Sequence, residues 1–170
     1  MELQSEIREE RPEDIDAIRE VNNDAFGEAL EGEIVDALRA NGAVLLSLVA
    51  LLNGKIVGHI LYSPIIVNDV FEGAALGPMS VLPEYQKQGV GSRLIEAGNR
   101  KLRDSGCPFI IVIGHAEYYP RFGFEPAGAF GITCQWPVPD EVFMVLPLDP
   151  VRIQRIRGPA KYRPEFSSAI

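Results

Sequence analysis

The chain has 170 residues, 46% of them hydrophobic, which suits one domain with a substantial core, since folded domains commonly run to about 100–150 residues. A net charge of −8 disfavours nucleic acid as a partner, because such binding draws on a basic surface to release phosphate counterions; a cationic acceptor such as an amine is more compatible. The two cysteines, Cys107 and Cys134, predict a reduced, cytoplasmic protein, and no apolar run approaches the ~20 residues that cross a bilayer.

Residues 3–8 read as a first strand. Arg11-Pro12-Glu13-Asp14 then opens a helix, with proline near its first turn and acids behind it, and Ile15, Ile18 and Val21-Asn22 form its inner face. After a segment rich in Gly, Ala and acids, Ile34, Val35 and Leu38 resume helical spacing until Asn41-Gly42 stops it. Residues 44–51 and 55–62 are apolar runs around Asn53-Gly54, a type I′ hairpin signal that predicts two antiparallel strands. His59 lies inside the second, either facing a cleft or packed and hydrogen-bonded on the sheet. Residues 64–67 continue extended, and residues 68–73 read as a polar loop. Residues 76–82 are short and apolar, with Gly77-Pro78 interrupting regular pairing.

From there the period switches from strand to helix across Gln86-Lys87-Gln88-Gly89-Val90-Gly91, after which Val90, Leu94, Ala97 and Leu102 recur at helical spacing. The first amides of a helix lack intrahelical partners and carry the positive end of its dipole, so this turn is an anion site. Gly89 and Gly91 let a pyrophosphate approach the main chain, and Lys87 and Arg93 add positive charge. A P-loop would need Gly-Lys-Ser/Thr, whereas Gly91 is followed by Ser92-Arg93. The dinucleotide fingerprint G-x-G-x-x-G meets Leu94 at its third glycine position. Q-x-x-G-x-G does fit, with Gln86, Gly89 and Gly91.

Lys101, Arg103 and Gly106 close this helix. Residues 109–113 form a continuous apolar strand, as expected of one buried on both faces. Gly114-His115 ends it and residues 116–122 form a short helix. Residues 131–135 and 142–148 read as two final antiparallel strands, joined by a proline-rich loop in which Trp136 either covers a site or packs on its own domain. Beyond residue 149 the chain turns basic, with Arg152, Arg155, Arg157, Lys161 and Arg163 against Glu165 alone. Such a tail docks on the acidic surface of its own domain or on a second subunit of a homodimer, or stays disordered.

The Q-x-x-G-x-G hexapeptide resembles the acyl-CoA signature of the GNAT N-acetyltransferases. Tyr118-Tyr119-Pro120-Arg121-Phe122-Gly123-Phe124 is similar to the family's Y-x-x-x-G-F element, in the matching order and separation. The wording LGPMSVLPEYQKQGVGS followed by GHAEYYPRFGFEPA looks especially like the YhbS-like branch. The resemblance covers residues 1–148, with residues 149–170 as a basic extension. It implies a single α/β (α+β) domain whose mixed sheet of six or seven strands is splayed between the fourth and fifth, flanked by about four helices. It further implies acetyl-CoA as donor, held by backbone N–H groups of Met79 and Val81 and by Gln86, Lys87, Gln88, Gly89, Val90, Gly91 and Ser92. Tyr119, four residues before Gly123, takes the family's general-acid position, with Tyr118 its neighbour and competitor. Phe26, Glu28 and Glu31 are candidates for the wall of the acceptor pocket. The acceptor is a small-molecule or peptide amine, with no metal, nucleic acid or membrane. Many relatives carry a basic glutamate on the fourth strand, but Ala74-Ala75-Leu76 has none, which leaves Glu72, Glu28, His115 or a water chain as base. The competing functions are a non-catalytic acyl-CoA sensor and an interaction domain that uses the glycine turn for another phosphate ligand.

Overall fold

A computed structural model describes residues 4–167. Strand β1 (Glu6–Glu9) leads through a 3-10 turn (Pro12–Asp14) into helices α1 (Ile15–Phe26) and α2 (Leu30–Ala40). Leu3, at the expected start of the first strand, lies outside the described residues. Gly27 ends α1 at φ 72°, donating its N–H to Asn23 O at 2.9 Å.

Strands β2 (Leu46–Leu52) and β3 (Lys55–Val67) form the expected hairpin, with Asn53 and Gly54 at φ 51° and 79°, the signs that a type I′ turn requires. β3 runs well past the expected residue 62 and turns through Asn68-Asp69-Val70 directly into β4 (Phe71–Val81). Residues 71–73 therefore belong to a strand instead of a loop. Gly73 belongs there because the ring of Phe109 occupies the space a Cβ would fill.

After α3 (Val90–Asp104) come β5 (Phe109–Ile113), β6 (Glu125–Pro126), β7 (Ile132–Thr133), β8 (Phe143–Pro147) and β9 (Gly158–Lys161). The mixed sheet runs β1-β2-β3-β4-β5-β8-β6, with β9 also on β3 and β7 beside β9; among the described residues only β4–β5 and β7–β9 are parallel. Nine strands among the described residues stand against the six or seven expected, the surplus being short. The described residues hold three α-helices instead of about four. Residues 116–122 supply only the 3-10 turn Tyr119–Phe122, because Pro120 lacks an N–H and Gly123, at φ 96°, closes it. β7 does not pair with β8 either; Gly158 N–H reaches Gly131 O at 2.9 Å and draws β9 alongside it.

The sheet is covered on both faces. α3 lies so close to β3 that a Cβ on Gly58 would be 3.1 Å from Leu94 and Val90. Ile110 and Val112 join the core on that side, with Tyr62, Ile95 and Met144, whereas Phe109 and Ile111 enter a second cluster with Ile65, Phe143 and Val145. The basic extension is built into these cores: Ile153, Ile156 and Ala160 enter the second and Phe166 the first. Lys161 Nζ sits 2.8 Å from Asp69, and Glu165 accepts from Asn41 Nδ2 at 2.8 Å. Of the three fates open to the tail, residues 149–167 take the first and dock on their own domain, through apolar side chains as much as charges. No helix among the described residues is long and apolar enough to cross a membrane.

Candidate active site

β4 and β5 pair only at Ala74↔Ile110 and Ala75↔Ile111, so among the described residues the rest of β4 keeps β3 as its sole partner and a gap opens on its other edge. Opposite that gap the β3 register shifts: Ile60 faces Met79 and Tyr62 faces Leu76, leaving Leu61 against both Gly77 and Pro78 as a β-bulge. Leu82 N–H donates to Val57 O at 2.9 Å, towards β3. Amides alternate along a strand, so Ser80 N–H also points to β3 while those of Met79 and Val81 point into the gap. The carbonyl of Val81 shares that edge and accepts from Gln86 Nε2 at 2.9 Å, which braces the following turn onto the strand end.

That turn is contorted. Lys87 at φ 61° and Gly89 at φ 90° are both left-handed, which for lysine stores strain of about 1–2 kcal/mol. Their alternation with Gln88 turns successive amides to one side, and Gly89 O takes the first α3 bond, from Arg93 N at 3.1 Å. The N–H groups of Val90, Gly91 and Ser92 have no carbonyl one turn back to bond and point out of the helix. A Cβ on Gly91 would stand 3.4 Å from the Met79 side chain and from the Tyr118 hydroxyl, so the turn, the gap-lining strand and the tyrosine pair converge there. The donor set suits a pyrophosphate: free main-chain amides, the dipole of α3 and no side chain at Gly89.

Tyr119 is 7% exposed. Its ring covers Gly114 at the end of β5, where it fills the space a Cβ would need, and it meets Tyr118 and Phe124 edge-on at 5.2 and 5.6 Å. Burial, reinforced by neighbouring Tyr118, pushes the Tyr119 phenol above its ordinary pKa, so it keeps its proton at neutral pH. Tyr118 is half-buried; its hydroxyl lies 3.1 Å from Ser92 Oγ, and the Arg121 guanidinium stands 5.3 Å from its ring centre. Among the candidate bases, Glu72 is seven residues before Met79, roughly 23 Å of extended chain, and is too far to serve. His115 and Glu28 are exposed, and the His115 carbonyl receives the N–H groups of Tyr118 and Tyr119.

At the α1–α2 junction Phe26 is 42% exposed and Glu28 exposed. Nearby in sequence, Glu31 Oε1 and Asn23 Oδ1 are buried without a hydrogen-bond partner among the described residues. Trp136 packs on Tyr162 of the tail, ring centres 4.9 Å apart, and so takes the domain-packing alternative. His59 is wholly buried on the sheet face turned to α1. Asn22 Nδ2 donates to its Nδ1 at 3.2 Å, so its Nε2–H donates to Ser47 Oγ at 2.9 Å, and Ser47 in turn donates to Glu10 at 2.6 Å. Arg39 clamps that carboxylate through two bonds of 2.8 and 2.9 Å. Nothing in the spacing of Glu10, Asn22, Arg39 and Ser47 announces this network, because its members come from four elements. Nor does the sequence disclose Gly114 as the seat of Tyr119.

A family model described as an acetyltransferase (GNAT) domain matches residues 44–126. The chain is 43% identical over 134 residues to the Escherichia coli (strain K12) uncharacterized N-acetyltransferase YjhQ, covering 75% of this chain and 74% of that one. The crystal structure of the E. coli N-acetyltransferase YhbS in complex with CoA superposes with a TM-score of 0.93 at 28% identity, over 98% of this chain and 94% of the other. A Brucella melitensis GNAT acetyltransferase in complex with acetyl-CoA gives 0.82 at 37% identity, over 96% and 98%. With a splayed β4–β5 pair, a glycine turn at the head of α3 and these relatives, the chain belongs to the GNAT acetyltransferase family.

Proposed function

We propose that the protein is an N-acetyltransferase that moves the acetyl group of acetyl-CoA directly to a primary amine of a small molecule or peptide within a ternary complex. The observation that carries this reading is the gap beside β4, with the Met79 and Val81 amides turned into it and the free amides of α3 at its end. The relatives solved with CoA and with acetyl-CoA support the choice of donor. Gln86, Lys87, Gln88, Gly89, Val90, Gly91 and Ser92 hold the pyrophosphate, and Met79 and Val81 hold the pantetheine arm and the acetyl carbonyl. The donor supplies an activated thioester carbonyl. An N–H of β4 meets the charge that develops on its oxygen; the C–N bond forms as the C–S bond breaks, Tyr119 gives its proton to the departing sulfur, and the proton shed by the amine nitrogen passes through water and restores the phenol. At the α1–α2 wall the unpartnered oxygens of Asn23 and Glu31 suit an amine donor, and exposed Phe26 lies in the same junction of the chain. The free thiols Cys107 and Cys134 accord with a cytoplasmic setting. Thiol release from acetyl-CoA, followed against a panel of amines, tests the proposal. Release that depends on the amine supports it, whereas tight acetyl-CoA binding without release identifies a sensor.

A further inference from the structure

Residues paired across two antiparallel strands share a face of the sheet, and successive residues of one strand alternate between faces. Gly58 faces Leu94 and Val90 of α3 and pairs with Val81, so Val81 and, two residues back, Met79 turn their side chains to α3. Ser80, opposite His59, therefore turns to α1, whose Asn22 donates to His59 Nδ1 at 3.2 Å. Ser80 is 2% exposed and Asn22 wholly buried, yet among the described residues Ser80 Oγ and Asn22 Oδ1 have no hydrogen-bond partner. Both atoms flank one imidazole, whose own nitrogens are engaged by Asn22 Nδ2 and Ser47 Oγ. A buried polar group left unpaired costs stability, and a fold that keeps two of them together points to a function there. Ser80 also stands between the two residues whose amides turn into the gap, on a stretch of β4 that among the described residues has no strand on its β5 side.

We propose that Ser80 Oγ and Asn22 Oδ1 receive the two N–H groups of a neutral primary amine and aim its lone pair at the acyl carbon, so that the protein selects primary amines over their N-methyl counterparts. The inference rests on the acetyl-transfer reading above and concerns the reacting end of the acceptor. Met79 and Val81 commit their amides to the gap and their side chains to α3, which leaves the α1 side of β4 for the amine's approach. Ser80 is the side chain that β4 presents there between the two amides. Neither oxygen carries charge. Burial keeps His59 neutral, and Glu10, linked to it through Ser47, is clamped by Arg39. This pair of oxygens therefore gives no preference to an ammonium over the free amine that attack requires. A secondary amine brings one N–H and leaves one buried oxygen unpaired. A site built to bond a substrate N–H rejects the analogue that lacks it more strongly than a pocket that senses bulk alone.

Initial rates on the whole chain test the proposal, with saturating acetyl-CoA and a primary amine that the wild type accepts set against its N-methyl derivative. A melting scan and an acetyl-CoA titration accompany them. The wild type should favour the primary amine at least about tenfold in kcat/KM, the scale of one buried hydrogen bond. Ser80→Ala should cut kcat/KM for the primary amine about tenfold and change the N-methyl amine, which keeps its one N–H for Asn22, within about twofold, bringing the preference near one. Its acetyl-CoA affinity should stay within about twofold, and its Tm should be unchanged or higher, because an unpaired buried hydroxyl is gone. Ser5→Ala removes another buried, unpartnered hydroxyl beside β1, with β2 and β3 between it and β4, and should leave both rates unchanged. Equal use of both amines by the wild type, or an unchanged preference in Ser80→Ala, overturns this inference and leaves the acetyl-transfer reading intact. A fall in both Tm and acetyl-CoA affinity in Ser80→Ala makes Ser80 a structural residue and overturns the inference as well. Absence of amine-dependent release from the wild type overturns both.

Discussion

Tyr119 joins a ring fixed against Gly114 to a phenol that burial keeps protonated. Tyr119→Phe removes only the hydroxyl, so kcat should fall with KM for acetyl-CoA changed far less. General acids contribute ~10²–10⁴-fold, and a phenol with a raised pKa is a weak acid towards a thiolate near ~8.5, so about a hundredfold is expected. Steady-state rates at saturating amine check this, and equal activity removes Tyr119 from the mechanism. Tyr118→Phe, which breaks the contact with Ser92, should cost less than the Tyr119 change. In the sequence Tyr119 stands out only through the resemblance of Tyr118–Phe124 to the family's Y-x-x-x-G-F element, while only the fold shows that Tyr118 faces the helix start. His59 gives a residue-scale pH test. Burial lowers its pKa from 6.5 to about 4, so between those values the unfolded chain takes up a proton that the folded one refuses. The neutral-histidine contribution is therefore whole above pH 6.5 and lost as pH falls towards 4, a decline of about 3 kcal/mol in unfolding free energy. Urea titrations at a series of pH values should show this step in the wild type and lose it in His59→Gln.

Helix α3 owes its position to small residues as much as to its apolar stripe. At Gly98 the ring and hydroxyl of Tyr62 press on the helix backbone where a Cβ would lie. Gly→Ala inside a helix ordinarily stabilises by about 1 kcal/mol, but here the methyl group meets a buried ring, and Gly98→Ala should destabilise by about 1–3 kcal/mol. Chemical denaturation reads the sign directly; a gain in stability would contradict the packing. The helix itself was plain from its period, its basic last turn and Gly106. The short helix expected over residues 116–122 was not, because the same residues satisfy a 3-10 turn once Gly123 turns left-handed. The gap beside β4 was legible only through the family motifs, since Gly77-Pro78 marks a break in pairing without saying which neighbour is lost.

At the scale of the molecule, the tail is part of the core. Burying each of Ile153, Ile156 and Phe166 contributes about 1.5–3 kcal/mol, together comparable with the 5–15 kcal/mol that stabilises a whole domain. A chain ended at residue 148 also loses β9 from β3, and it should lose its cooperative thermal transition; a truncated chain melting like the full one would contradict this. The basic residues of the tail point to charge, whereas the apolar positions between them, too irregular in spacing for helix or strand, do the docking. The domain so completed is held to be a direct acetyl-transfer enzyme, and initial velocities of CoA release with acetyl-CoA and an accepted amine both varied test that most directly. Direct transfer in a ternary complex predicts no release without amine and lines that intersect; parallel lines, or acetyl-CoA binding with no amine-dependent release, would contradict it.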